Sequence, residues 1–525
     1  MPYDSIYDSI TPQDLGLPPK FASLRTGQRS GLEWFDRSLA PVLAACMPTG
    51  FGKTAWAVGC ARLSGVKSVY LVVTKALQKQ VLDDFESCGM VDIRGRANYD
   101  CPNYGNCEEG YKEDCALSKT TSCPYVGQVE AAKNSDLLVT NYAYWLYARK
   151  YNARALEWDE RPVELLICDE AHNLEQQLSG FASVKIYAAE FGREWSGAFD
   201  QSGQMQPIIG GAYGEEAAVA KGWFAFARFK MAKFEDRYDL TDDEKDLLDR
   251  LKRILRMTPN WVWQFDERGH VTFEPVRVTA YAKALFSGVP RVLLMSASLN
   301  RFVCDLVLPS DMAYEYRSWP SVFPTANAPV YHIPTRKLSW KSTDDDYKAI
   351  LQATDAIVDS RQDRKGIVHT VSYARTRRAL QHSRNVGRFI WNERSIELAG
   401  CLDRFRAAGP GAVLITPSVE EGFDFPLEQC EYQILLKFPF PNETQRVIKE
   451  RCTQIPGYRL NYAAQKVMQI RGRPIRSEED RSELFILDNA CKQLTGPEGK
   501  NFCAPGFRIF TVTQVPPAPP KINRQ

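Results

Sequence analysis

The stretch Pro48-Thr49-Gly50-Phe51-Gly52-Lys53-Thr54 constrains the fold of this chain more than any other. Its glycines let backbone amides close around a phosphate, and the lysine and threonine behind them bring a cation and a hydroxyl to the same place. Such a loop works only between a strand and a helix. The flanks offer both: apolar Val42-Leu43-Ala44-Ala45-Cys46-Met47 before it and helix-compatible Ala55-Trp56-Ala57-Val58 after it. Further along, Asp169-Glu170-Ala171-His172 directly follows the apolar run Leu165–Cys168. A carboxylate at a strand's C-terminal end can face a phosphate loop across a parallel sheet. Asp169 is then placed to hold Mg²⁺ together with Thr54, and Glu170 to orient and deprotonate an attacking water. Taken alone, the acidic motif also reads as a solvated turn and the loop as a structural Gly-rich turn. Together they point to nucleotide hydrolysis.

The rest of the chain repeats the strand signal. Val69–Val73, Leu137–Val139, Val292–Met295 and Ala412–Ile415 are short apolar runs with helical patterns between many of them, which predicts an α/β chain with βαβ units. Residues about 180–265 differ: they carry no clear strand run and predict a mostly helical insertion. Within it Thr241-Asp242-Asp243-Glu244 matches a capping box, and Leu247, Leu248, Leu251, Ile254 and Leu255 follow on one helical face. The Pro516-Pro517-Ala518-Pro519-Pro520 run predicts an extended, poorly ordered tail. At 525 residues there is room for about three or four domains. A net charge of only +2 excludes a global basic field, so any nucleic-acid surface is a local channel. No apolar run approaches a membrane span, and the N-terminus has no signal-peptide pattern. The 14 cysteines then imply a reducing compartment, with Cys60, Cys168 and Cys304 read as small buried hydrophobes.

Four other cysteines stand apart. Cys101, Cys107, Cys115 and Cys123 are separated by five, seven and seven residues and sit in polar sequence, which points to a metal. Structural zinc sites usually use a C-x₂₋₄-C pair, and this set has no C-x₂-C pair. Four thiolates also suit a [4Fe–4S] cluster. Near the other end, Arg473 and Arg476 lie three residues apart. On a helix they share a face, either as a solvated basic patch or as guanidinium groups that stabilise a γ-phosphate in transfer.

In order along the chain, these motifs resemble the XPD/DinG family of superfamily 2 iron–sulfur DNA helicases. The loop has that superfamily's P-T-G-x-G-K-T form. Leu24-Arg25-Thr26-Gly27-Gln28 is similar to the family's adenine-contacting element, which implies a nucleotide role for Arg25 and Gln28 beside Thr49, Gly50, Gly52, Lys53 and Thr54. Thr74–Gln80 resembles motif Ia, a DNA-backbone contact, and Val139-Thr140-Asn141-Tyr142 resembles the element before the acidic motif. Asp169–Glu175 is close to the family's extended acidic motif, and Ser296-Ala297-Ser298-Leu299 to motif III, which couples hydrolysis to movement. Gly366–Tyr373 resembles motif IV, and Ser418–Phe425 resembles motif V, implying nucleotide contacts by Gly422 and Asp424. Gln469-Ile470-Arg471-Gly472-Arg473-Pro474-Ile475-Arg476 matches motif VI, implying catalytic roles for Gln469, Arg473 and Arg476. Gly95–Cys101 resembles the family's G-R-x-N-Y-x-C lead-in to its iron–sulfur domain, which favours a [4Fe–4S] cluster on the four cysteines.

The resemblance implies two RecA-like motor domains. The first would run over 1–95, 136–180 and 266–328, interrupted by an iron–sulfur domain at 96–135 and an arch-like helical insertion at 181–265. The second would span 329–510, with the tail at 511–525. It further implies ATP and Mg²⁺ as cofactors, 5′→3′ movement on single-stranded DNA and unwinding at single/double-strand junctions. Base stacking would involve aromatics such as Tyr99 or Tyr125. The expected setting is a monomer in the cytoplasm, nucleoid-associated or in a host cell, and the modest length fits a compact phage or mobile-element form. Two rival readings stand beside it: an ATP-switched accessory protein of a nuclease or repair complex, and a DEAH-type RNA helicase, which normally lacks the four cysteines.

Overall fold

Short runs that are apolar at every position must bury both faces, and parallel sheets covered by helices do this. The protein, seen in a computed structural model, is described over residues 6–25, 27–151, 162–191, 215–234, 237–339, 341–417, 425 and 427–520. The first seven-stranded sheet has the order Tyr314–Ser318, Val42–Cys46, Arg291–Ser296, Leu165–Cys168, Ser68–Val72, Leu137–Asn141, Met90–Asp92, all parallel. The second, also of seven parallel strands, has the order Phe389–Trp391, Val413–Thr416, Gly366–His369, Tyr432–Leu435, Glu483–Ile486, Val330–His332, Ile509–Thr511. These are two RecA-like α/β domains. Their cores contain the expected runs, with Leu43, Ala45, Tyr70, Val72, Val139 and Ile167 in the first and Val413 and Ile415 in the second, where Val368, Ile434 and Phe485 join them from strands not singled out by sequence.

Register decides what the first sheet presents at its edge. Cys46 pairs with Ser296, and Cys168 with Leu294. The phosphate loop, the acidic motif and motif III therefore leave the sheet side by side at its C-terminal edge.

The chain divides into two compact units. One comprises Met1–Asn173, Ala284–Pro441 and Arg459–Gln525 and contains both large sheets. The other comprises Leu174–Lys283 and Asn442–Tyr458. This second unit is not purely helical. A three-stranded antiparallel sheet, with Val271–Pro275 between Val184–Ile186 and Trp261–Phe265, packs on helices Glu215–Ala232 and Asp242–Ile254 around Trp223, Phe226, Leu251, Ile254 and Phe273. Trp261–Phe265 escaped notice because its alternate residues are large apolar groups of intermediate exposure rather than a buried run. The capping box forms as expected, with the Glu244 amide donating to Thr241 Oγ1 at 3.3 Å and the Thr241 amide to Glu244 Oε2 at 3.0 Å. Segment 442–458, placed by sequence in the second motor domain, supplies this unit with Arg451. Its buried guanidinium donates to Pro275 O (2.8 Å), Val276 O (3.0 Å) and Ser179 Oγ (2.9 Å) and pairs with Glu175.

The tail corrects another expectation. Ile509–Thr511 adds an edge strand beside Val330–His332, and the guanidinium groups of Arg361 and Arg364 donate to the carbonyls of Pro516 and Pro519. Proline carbonyls remain acceptors where the ring has removed the donor. Among the described residues no helix is long and apolar enough to cross a membrane.

Candidate nucleotide site and cysteine cluster

The strand Val42–Cys46 is buried throughout, and the helix Lys53–Ser64 starts on the motif lysine. Between them Gly50 (φ 84°) and Gly52 (φ 78°) take left-handed backbone. Space requires glycine as well: a Cβ on Gly50 would lie 2.1 Å from the Phe323 ring, and one on Gly52 2.7 Å from Gln28 Nε2. Phe51, large for such a loop, turns into the core against Trp56 and Trp319, with ring centroids at 6.2 and 5.7 Å. Gln28 and Arg25 brace the loop. Gln28 Nε2 donates to the carbonyls of Phe51 (2.9 Å) and Gly52 (3.2 Å), and its Oε1 accepts from the Arg25 amide at 2.7 Å. The Arg25 guanidinium donates to the Gly50 carbonyl. Thr26 lies outside the described residues.

The acidic pair is held from behind. Tyr70 OH donates to Asp169 Oδ2 at 3.0 Å, and the Thr54 hydroxyl favours the ionised form of the same phenol. One phenol thus stands beside both expected Mg²⁺ ligands and is bonded to Asp169. Tyr142 OH donates to the Asp169 carbonyl at 2.7 Å. Glu170 sits at φ 47°, a left-handed conformation rare for a residue with a side chain, which turns its carboxylate out of the strand direction. Glu170 Oε1 stands 3.5 Å from Lys53 Nζ, and Oε2 accepts from Ser296 Oγ at 3.2 Å.

Charge follows this geometry. Burial and the neighbouring Glu170 carboxylate push Asp169 up to about 6. Burial also opposes the charged form of Glu170, but Lys53, His172 and Ser296 outweigh it and hold that carboxyl well below its usual range. Lys53 is raised because Glu170 and Asp169 overcome its desolvation. Two adjacent carboxylates that lysine alone satisfies incompletely suit a divalent cation at Asp169 and Thr54.

The second sheet's Tyr458–Gly472 helix completes the site. Gln469 Nε2 meets His172 Nε2. The other ring nitrogen of His172 faces Ser296 and the acidic pair. Nδ1 lies 2.7 Å from Ser296 Oγ and 3.2 Å from Glu170 Oε2. At the helix end, a Cβ on Gly472 would lie 3.0 Å from Thr49 Oγ1. The shared helical face expected of Arg473 and Arg476 is absent. The helix stops at Gly472, before Pro474, and Asp480 Oδ2 gathers the amides of Arg476 (2.7 Å) and Ser477 (2.6 Å) into a turn. The charge of Arg476 bears on Lys53, and that of Arg473 on buried His369. Gly422 and Asp424 lie outside the described residues.

The four cysteines converge. Cys107, Cys115 and Cys123 are buried, Cys101 is half-buried, and none forms a disulfide. Cys107 and Cys123 Sγ are 3.8 Å apart. A Cβ on Gly110 would meet Cys101 Sγ at 3.0 Å and Cys115 Cβ at 3.4 Å, so the short helix Cys107–Lys112 lies directly against both. Four soft donors, two of them packed tightly on Gly110, are a set that suits a metal or cluster, although among the described residues no three His, Cys, Asp or Glu side chains stand in a metal-holding arrangement. The expected stacking tyrosines are committed internally. Tyr125 is buried, covers Arg96 at 4.3 Å and meets the Tyr99 ring at 5.7 Å, while Tyr99 OH accepts from the Arg94 amide.

Sequence reasoning missed Tyr70, whose strand position gave no hint of its hydroxyl, and Phe323, because packing against the loop across 273 residues has no local pattern.

Comparisons with known proteins agree with this geometry. Residues 35–190 match the DEAD/DEAH box helicase family, and residues 357–499 match the helicase C-terminal domain. No curated protein matches the chain. Among solved structures, S. tokodaii Xpd4 is similar at 14% identity and a TM-score of 0.58, over 93% of this chain and 100% of that one. An XPD helicase structure is similar at 15% identity and a TM-score of 0.58, over 92% and 98%. An apo XPD structure is similar at 13% identity and a TM-score of 0.55, over 92% and 99%. At these identities the likeness is one of fold. Since the chain spans nearly all of each, the expected compact form does not set it apart from them.

Proposed function

We propose that this chain, an ATP-dependent helicase hydrolase with an XPD-like fold, is an XPD/DinG-type motor. In this reading it moves 5′→3′ along single-stranded DNA and opens duplexes at single/double-strand junctions. The observation that carries the reading is the composite site: Lys53 and Glu170 from the first sheet, closed over by Gln469 and Gly472 from the second sheet's helix. A site shared by two domains makes hydrolysis depend on their approach, and each approach and release can move a bound strand.

The roles follow from placement. Lys53 meets the outer phosphates, and Thr54 and Asp169 hold Mg²⁺. Glu170, kept ionised by Lys53 and His172, takes the proton of the attacking water. Arg476, whose charge bears on Lys53, supplies guanidinium charge to the leaving phosphoryl group together with Arg473. Gln28 and Arg25 set the loop's backbone and so the nucleotide's seat, and Gly422 and Asp424 contact the nucleotide from motif V. The protein acts as a cytoplasmic monomer.

The four cysteines are assigned to a [4Fe–4S] cluster that shapes the strand-separating insertion and takes no part in hydrolysis. Zinc is the second reading, and one distance favours it: 3.8 Å between Cys107 and Cys123 Sγ equals the edge of a tetrahedral thiolate zinc site with bonds of about 2.3 Å. Iron and zinc analysis of anaerobically purified protein separates the two. For the function, tailed-duplex unwinding is the test. Opening of 5′-tailed but not 3′-tailed duplexes is expected, with ATP turnover stimulated by single-stranded DNA. Unwinding restricted to 3′-tailed or RNA duplexes would refute the assignment.

A further inference from the structure

The Tyr458–Gly472 helix is engaged on opposite faces. Ala463, Ala464, Val467 and Ile470 are fully buried in the second sheet's core. At 100° per residue the opposite side carries Tyr458, Asn461, Gln465 and Gln469, whose spacing of three, four and four residues keeps them within an arc of about 80°. A polar stripe opposite an apolar one ordinarily faces water. Here three of its members bond to residues in or just after the first sheet's motifs. Gln469 meets His172, Tyr458 OH donates to Glu175 Oε2 at 3.2 Å, and Asn461 Oδ1 accepts from Asn300 Nδ2 at 2.8 Å.

Asn300 is itself firmly held. It directly follows motif III, its Oδ1 caps the helix Arg301–Val307 by accepting from the Val303 amide at 3.0 Å, and its Nδ2 also reaches the Phe502 carbonyl at 3.2 Å. Phe302 and Phe502 pack edge to face beside it at 5.4 Å. Asn300 and Asn461 are only 7% and 5% exposed, so their bond is made where an unmet amide is most costly.

We propose that Asn300 and Asn461 are a positioning pair for ATP hydrolysis. The pair fixes the direction of the motif VI helix and thereby where Gln469 stands against His172 and where the chain leaves Gly472 toward Arg476. The helix is a rod. Asn461 lies eight residues before Gln469, about 12 Å along the axis. The His172–Gln469 contact holds one end and the Tyr458–Glu175 bond the first residue, and the buried attachment at Asn461 between them fixes the rod's angle. Both ends of the tie lead to reacting groups. Ser296, four residues before Asn300, touches Glu170 directly, and the arginines follow the helix end. Neither asparagine touches the phosphate loop. Their effect is geometric, and small misplacements of charge lower turnover more than binding.

The inference rests on Glu170 being the hydrolytic base. The test measures DNA-stimulated ATP turnover and KM in Asn461→Leu, Asn461→Asp, Asn300→Ser, the Asn300→Ser/Asn461→Leu double variant and Gln465→Met. Asn461→Leu should lower kcat about tenfold with KM for ATP within about twofold, and Asn461→Asp, which keeps the acceptor, should recover most of it. Asn300→Ser keeps a helix cap but cannot reach Asn461, so the double variant should be no worse than the poorer single one. Gln465 lies on the same stripe with a buried Nε2 that has no partner among the described residues, and Gln465→Met should stay within about twofold of wild type. Wild-type kcat in Asn461→Leu, equal losses in the Leu and Asp variants, or additive losses in the double variant would overturn the proposal. Normal turnover by Glu170→Gln, measured alongside, would instead overturn the base assignment beneath it.

Discussion

The phosphate loop and the cysteine segment are both marked by motifs, yet they are built by opposite means. The loop is finished before any nucleotide arrives. Phe51 anchors it in an aromatic core with Trp56 and Trp319, Gln28 and Arg25 hold its carbonyls, and Tyr70 and Tyr142 hold Asp169. The cysteine segment has little of this. From 96 to 123 its buried apolar side chains are Cys107, Cys115 and Cys123 themselves, and Tyr125, Val129 and Ala132 follow on the Pro124–Asn134 helix. A region whose core consists of the thiols proposed as ligands would depend on a bound metal for its stability. Preorganisation by packing suits a site that binds and releases ligand every cycle, whereas construction around a metal suits a part that keeps its ligand.

Substitutions can break or sharpen that contrast, and the largest effect belongs on the loop side. Glu170→Gln should lower ATP turnover about 10²–10⁴-fold while ATP and Mg²⁺ binding persist, because an amide cannot take the water's proton. Nucleotide binding by a fluorescent analogue alongside steady-state turnover checks this, and a parallel loss of binding would mean that the site is not preorganised. Next comes Cys107→Ser. It should abolish unwinding and bound metal and open residues 96–135 to proteolysis, while DNA-independent hydrolysis stays within about threefold of wild type. Loss of hydrolysis in step with metal would erase the distinction between the two regions. A smaller effect is expected of Tyr70→Phe, which removes the hydroxyl bonded to Asp169. About fivefold weaker apparent Mg²⁺ affinity, read from turnover against Mg²⁺ concentration, matches one buried hydrogen bond. Gly110→Ala should do least. The added methyl would press on Cys101 Sγ at 3.0 Å, and metal content should fall about twofold with hydrolysis unchanged.

How much of this was legible depends on the range over which each signal acts. Strand runs and the loop are local, and Val42–Cys46, Leu165–Cys168 and the helix from Lys53 stand where their residues place them. The capping box at Thr241 is equally local. Arg473 and Arg476 were read as one helical face because their spacing is helical, but Pro474 between them favours the helix end at Gly472, and that weight was missed. The three-stranded sheet of the smaller unit escaped because Val184–Ile186 is only three residues long and finds its partner at Val271–Pro275, far along the chain.

The sequence alone determined the chemistry available: a phosphate loop with its lysine, an acidic pair at a strand end, four cysteines in polar surroundings and arginines in the C-terminal block. These are statements about residue types at short spacing, and short spacing carries them. Tertiary structure alone decided which groups support them. Tyr70 reaches Asp169 across 99 residues, Phe323 covers Gly50, and Asn461 finds Asn300 across 161. A hydroxyl or amide satisfied by a distant partner leaves no periodicity or composition behind, because what selects it is the register of parallel strands and the burial of one helix between two sheets.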